Sequence, residues 1–194
     1  MRRGLISLAI FVAFVAIYAL SRHVAGTSTT TTTSTSTTST STTSTTLAST
    51  ACQAGDFAGA YNQGEGAAGT IYASVTLTKS TAGSCTLRGW PRITLQDRLG
   101  AVLTSKLIDV PSASNQFQFL ATQANAAPTT LTLHQNGTTT FSLAYSDVQT
   151  GATACESAVT LSVQFVANGA AVAVTPQYAV QPCNGGQLLV SPFY

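Results

Sequence analysis

Ile71-Tyr-Ala-Ser-Val-Thr-Leu-Thr78 alternates, with Ile71, Ala73, Val75 and Leu77 on one face and Tyr72, Ser74, Thr76 and Thr78 on the other. An apolar residue at every second position is the period of a half-buried β-strand, whose successive side chains point to opposite sides of a sheet. The same period recurs in Ile93 and Leu95, Leu131 and Leu133, Phe141 with Leu143 and Tyr145, Val159 with Leu161, Val163 and Phe165, and Val172 with Val174. Breakers at Gly83, Gly100, Pro111, Pro128, Gly151, Gly169 and Gly185-Gly186 separate these runs. From Ala51 onward no segment carries a sustained i, i+3, i+4 apolar pattern, so helices there should be short or absent. About seven to nine short strands at such spacing point to an all-β fold, an antiparallel β-sandwich that is immunoglobulin-like or related.

One connection can be typed from sequence. Asn136-Gly137 sits between the alternating run of Leu131 and Leu133 and that of Phe141, Leu143 and Tyr145. That dipeptide tolerates the positive φ angles of a type I′ turn, which predicts a β-hairpin across it.

Only 7% of the 194 residues are charged, against roughly 25% in typical soluble domains. The surface must therefore be built from Thr, Ser, Gln, Asn and Gly. The formal charge of +2 misleads, because Arg2, Arg3 and Arg22 precede the β-patterned region. From Ala51 onward Lys79, Arg88, Arg92, Arg98 and Lys106 face Asp56, Glu65, Asp97, Asp109, Asp147 and Glu156, a net of −1. No basic cluster exists to neutralise phosphates, which argues against nucleic acid as a partner.

Arg2 and Arg3 precede a predominantly apolar run from Gly4 to Leu20, followed by Arg22 and His23. As a helix the run would span about 25 Å, slightly short of a hydrocarbon core yet longer than a usual signal-peptide core. Residues 1–26 thus read as a signal anchor, with a cleaved signal peptide as the alternative. The N-terminal arginines would stay inside, placing the remainder outside the cytoplasm, membrane-held or secreted. From Thr27 to Thr50 every residue except Leu47 and Ala48 is Ser or Thr. Such a tract has nothing apolar to offset backbone ordering and reads as a disordered linker, bare or carrying O-linked sugars. Its span would be about 25–30 Å as a coil and up to about 75 Å if extended. The expected organisation is a targeting segment at 1–26, a linker at 27–50 and a β domain at 51–194.

Cys52, Cys85, Cys155 and Cys183 form an even set, which in an exported chain favours two disulfides. Zinc would want close pairs, and none exists. Of three possible connectivities, Cys52 with Cys85 and Cys155 with Cys183 is favoured because each closes a loop of about 30 residues, stabilising by about 3–4 kcal/mol on a chain-entropy basis.

Several phrases carry a family resemblance together: Gly66-Ala-Ala-Gly-Thr70 before a strand, Cys85-Thr-Leu-Arg-Gly-Trp-Pro-Arg-Ile-Thr-Leu95, Phe141-Ser-Leu-Ala-Tyr-Ser-Asp147, Cys155, and Cys183-Asn-Gly-Gly followed by Leu189-Val-Ser-Pro192. The chain resembles the domain-of-unknown-function family 4232 of secreted and lipid-anchored actinobacterial proteins over nearly all of Ala51 to Tyr194. The resemblance implies a β-sandwich with paired cysteines. It implies no activity. Many members are lipoproteins, and this chain departs from them in lacking a lipid-accepting cysteine near the targeting segment.

Motifs that could carry chemistry are each matched by a plainer explanation. Gly64-Glu-Gly-Ala-Ala-Gly69 satisfies G-x-G-x-x-G, but a dinucleotide site needs that motif to open a helix, and here it runs into a β-alternating segment as a turn. A Ser-His-Asp hydrolase would have to use His134, the one histidine of the β region, which the alternation sets on the polar face opposite Leu131 and Leu133. Asp97, Asp109, Asp147 and Glu156 could pair as glycosidase carboxylates, yet each falls near a turn or strand end, where such residues support local hydrogen bonding. Trp90 most simply packs over a disulfide or closes the end of the core. It could instead contact a sugar or peptide together with Arg88 and Arg92. Asn136-Gly137-Thr138 is a formal glycosylation sequon.

The expected function is a non-enzymatic, monomeric cell-envelope or extracellular module that binds a wall polymer or another envelope protein, without a metal or cofactor. The alternatives are a secreted hydrolase of wall glycans and a purely structural spacer.

Overall fold

The computed structural model describes residues 50–194, so the expected targeting segment and all of the expected linker except Thr50 lie outside the described residues. Among the described residues no helix is long and apolar enough to cross a membrane. The described residues are mostly β, with eleven strands: β1 (Thr50–Ala51), β2 (Phe57–Ala67), β3 (Thr70–Lys79), β4 (Cys85–Leu87), β5 (Arg92–Gln96), β6 (Lys106–Asp109), β7 (Leu131–Leu133), β8 (Thr138–Ser146), β9 (Thr160–Gln164), β10 (Ala171–Val174) and β11 (Gln187–Val190). Among the described residues helical structure is confined to short 3-10 turns at Ala54–Asp56 and Thr122–Asn125 and a tight turn at Cys183–Gly186, where Asn184 and Gly185 have left-handed φ. The count exceeds seven to nine because β1, β4, β6, β7, β10 and β11 have only two to four residues each.

The strands form three sheets, ordered β2-β3-β8-β11-β6, β10-β9-β5 and β1-β4-β7. Pairing is not wholly antiparallel as expected, since β11 runs parallel to β6 and β1 parallel to β4. Both departures have a local cause. Gly186, at φ +72°, lies directly on the backbone of Thr104 and Ser105 with no room for a Cβ, and so starts β11 in step with β6. Cys52, bonded to Cys85, donates its N–H to the Thr86 carbonyl and so lays β1 along β4.

The alternation read from Ile71 onward appears as burial, with Ala73, Val75 and Leu77 inside and Tyr72, Ser74, Thr76 and Thr78 half-buried on the outer face. Lys79 continues the inward series at 2% exposure. Its ammonium donates to the carbonyls of Thr81 and Ala82 and to the Thr81 hydroxyl, which matches its three donors with three oxygens. One core cluster draws on the inward faces of all three sheets. Edge-to-face rings run through it from Phe57 to Phe165, Phe193 and Phe141, with centroids 5.1–5.7 Å apart.

The hairpin expected across Asn136-Gly137 does not form: β7 pairs with β4, while β8 pairs with β3 and β11. Side-chain parity explains it. A two-residue turn there would set Leu133 opposite Thr140 and Leu131 opposite Ser142, and cross-strand partners share a face. The leucines would then lie on the hydroxyl face, away from Phe141 and Leu143. Instead the chain passes from one sheet to another at Asn136, the position with positive φ, while Gly137 returns its N–H to the His134 carbonyl. The two-residue turn with positive φ at both centres lies elsewhere, at Ala68 (φ 50°) and Gly69 (φ 78°), closing the β2–β3 hairpin.

Candidate functional site

The 21 residues between β6 and β7 fold back over the outer face of the five-stranded sheet. Asparagines shape this excursion. Asn125 accepts the Phe119 N–H through Oδ1 at 2.6 Å and donates through Nδ2 to the carbonyls of Phe119 and Ala121, as a neighbouring strand would. Asn115 accepts the Phe117 N–H at 2.9 Å. The rings so held cover an apolar patch. Phe117 stacks on Tyr72 at 5.9 Å and meets Phe119 edge to face at 5.2 Å, with Ala144 and Leu189 in the same cluster.

Where the excursion ends against β2, β3 and β8, a groove of about 260 Å³ remains, lined by Asn62, Gln63, Tyr72, Ser74, Ser142 and Tyr194 and rimmed by Phe119 and Leu120. Tyr194 is placed by paired backbone hydrogen bonds with Thr140, and its hydroxyl lies 2.9 Å from Ser142 Oγ. Leu120 is 69% exposed at the rim. No Lys, Arg, Asp, Glu or His lines the groove. Its chemistry is that of amides, alcohols and apolar surface, suited to hydrogen bonding and packing rather than to proton transfer.

The residues singled out from sequence lie elsewhere. Trp90 is half-buried and donates its indole N–H to the Val110 carbonyl at 3.2 Å. Arg92 pairs with Asp109 at 3.3 Å. Trp90 and Arg92 thus hold consecutive residues at the end of β6, where the groove-forming excursion begins, and Arg88 beside them is exposed. The cysteines pair as favoured, Cys52 with Cys85 and Cys155 with Cys183, with Cα atoms 4.8 and 4.4 Å apart.

Of the four candidate carboxylates, Asp97, Asp109 and Glu156 have local partners, while Asp147 is exposed. Asp97 accepts the backbone N–H groups of Leu99 and Ala101, both at 2.8 Å. Glu156 accepts the Thr104 N–H and is the one titratable side chain lining a second cavity of about 320 Å³ beside Pro182, Gly185 and Gly186. His134 is exposed. Among the described residues no three His, Cys, Asp or Glu side chains converge on a metal position. The G-x-G-x-x-G phrase forms the end of β2 and its turn into β3, with no helix after it.

Two phenols lie at the inner side of the sheet. The buried Tyr61 hydroxyl has no hydrogen-bond partner of acceptable geometry. Burial pushes its ionisation well above the ordinary phenol range, and the neighbouring Tyr145 adds to the shift. Tyr145 is likewise raised by burial, against a lowering contribution from Tyr61.

Sequence reasoning did not find the groove. Its residues are common polar types with no motif, scattered over β2, β3, the β6–β7 excursion, β8 and the C-terminal segment. The available signal was Phe117-Gln-Phe119 between the breakers Pro111 and Pro128, since apolar rings in a connection need something to cover.

No curated protein and no solved structure matches the chain. The family model described as Domain of unknown function (DUF4232) matches residues 52–194, which takes in all four cysteines, every strand from β2 onward and the groove. The chain therefore belongs to the DUF4232 family.

Proposed function

We propose that this protein is a non-enzymatic cell-envelope or extracellular module that binds a wall polymer or another envelope protein through the groove over β3 and β8. The observation that carries this reading is the lining itself: a preformed concavity with amide, hydroxyl and aromatic groups and no titratable acid or base of the carboxylate or imidazole type. We read the β domain as a sandwich, immunoglobulin-like or related. The support is that the five-stranded sheet and the β10-β9-β5 sheet turn their apolar faces to one core. Residues 1–26, as a signal anchor or signal peptide, and the Ser/Thr tract at 27–50 would display or release this domain outside the cytoplasm.

A secreted hydrolase is the competing reading, and Glu156 in the second cavity is the observation that favours it. A second carboxylate beside it is what that chemistry would need. The deciding experiment is cross-linking on intact producing cells followed by mass-spectrometric identification. Cross-links from the groove residues to wall or envelope components support the binding module. Release of sugar fragments from purified wall by the protein, abolished in Glu156→Gln, overturns it.

A further inference from the structure

β3 and β8 present hydroxyl pairs in register on their outer face: Ser74 opposite Ser142, Thr76 opposite Thr140 and Thr78 opposite Thr138. Such pairs repeat at about 6.8 Å along the strands, with about 4.8 Å between the two members. Asn62 on β2 joins the ladder by donating to Thr76 Oγ1 at 3.1 Å, and Thr76 Oγ1 lies 3.3 Å from Thr140 Oγ1. At Ser74 and Ser142 the ladder enters the groove, where Tyr72, Tyr194 and Leu120 stand; Ser142 is itself buried, and its hydroxyl is presented through that of Tyr194. Alcohols and amides thus form a continuous track, and no Lys, Arg, Asp or Glu belongs to it.

The lining discriminates among ligand chemistries. A polyanion needs cationic or multiple N–H donors to offset the loss of its hydration, and the track offers no cation. An amphipathic helix needs a long apolar trough; the groove is largely apolar but holds only about 260 Å³, and the ladder that leads into it is alcohol. An uncharged polysaccharide presents hydroxyls that both donate and accept, together with C–H faces that pack on aromatic and aliphatic side chains. Each protein hydroxyl donates once and accepts twice, so those already paired with one another keep capacity for a sugar. The geometry points to a neutral polysaccharide segment that lies along β3 and β8 and ends in the groove. This inference rests on the binding-module reading and names its ligand class.

The test titrates the full-length protein calorimetrically with gluco-, manno- and galacto-hexaose, and with polygalacturonate and poly(glycerol phosphate) as charged probes. In parallel, co-sedimentation with purified wall from the producing cell is measured with and without the hexaoses. At least one neutral hexaose should bind and should displace the protein from wall. Asn62→Ala and Leu120→Ser, both at exposed positions, should each weaken binding about 3- to 10-fold, the size of a lost uncharged hydrogen bond or small apolar contact. Thr153→Ala, at the second cavity, should bind like the parent protein. Binding to no hexaose, tighter binding to a charged probe, or parental affinity in both groove variants would overturn the inference. Wall binding that no hexaose displaces refutes the neutral ligand and leaves the binding module standing, whereas absence of binding to wall and to every probe refutes both.

Discussion

Gly59 of β2 and Val174 of β10 meet across the core so closely that a Cβ on Gly59 would lie 2.5 Å from Val174 Cγ2. Glycine here is a spacer that lets β10 approach β2. Gly59→Ala should therefore destabilise the domain by about 1–3 kcal/mol through overpacking. Combining it with Val174→Ala should cost less than the sum of the single changes, because the second substitution removes the clash. Urea unfolding of the single and double variants measures both effects.

Ala68 occupies a left-handed position that a side chain disfavours. Ala68→Gly should stabilise the β2–β3 hairpin by about 1 kcal/mol, less whatever glycine adds to the entropy of the unfolded chain. The expected result is a rise in melting temperature of a few degrees.

Tyr61 and Tyr145 make stability depend on alkaline pH. In the unfolded chain phenols ionise near pH 10, while burial keeps both tyrosines protonated above that value in the folded protein. The folded state then holds more protons, so stability is intact below about pH 10 and falls as pH rises beyond it. Tyr61→Phe also removes a buried hydroxyl without a partner. It should be neutral or stabilising at pH 7 and should flatten the alkaline decline, as thermal melts across pH 8–12 would record.

Asn125→Ala strips the Phe119 N–H and carbonyl of their side-chain partners. The cost should be about 1–3 kcal/mol, with faster amide exchange at residues 117–125 and weaker binding at the groove. Unchanged exchange there would mean that the rings, rather than Asn125, hold the excursion.

Each cystine closes a loop, of sequence separation 33 for Cys52–Cys85 and 28 for Cys155–Cys183. Replacing either pair by serines should remove about 3–4 kcal/mol. Non-reducing peptide mapping should recover these two linkages and no free thiol.

The parts of the fold that were legible from sequence are those where one strand face is apolar: β3, β5, β7, β8, β9 and β10 all lie where period-two alternation placed them. β2, the longest strand at 11 residues, escaped because its inward positions include Gly59 and Gln63 and its end reads Gly-Glu-Gly. A glycine that makes room for a neighbouring strand looks, in one dimension, like a chain breaker. The parity conflict between Leu133 and Phe141 was present in the sequence and argues against a hairpin there. The groove was not legible, since its side chains converge only after the β6–β7 excursion folds across two central strands. Trp90 and Arg92, which the sequence offered as a contact for a sugar or peptide, lie outside the groove and hold the end of β6.

The bond from Cys52 to Cys85 also decides how the domain responds to tension. A pull on the chain upstream of Thr50 passes through sulfur to Cys85 and so enters the fold at β4. β2 and β3 lie wholly inside the loop that this bond closes, and the force bypasses them. The two longest described strands, which carry half of the hydroxyl ladder and one wall of the groove, are thereby left out of the covalent path of tension between Thr50 and Tyr194. Reduction of that one bond would put them in series with the load.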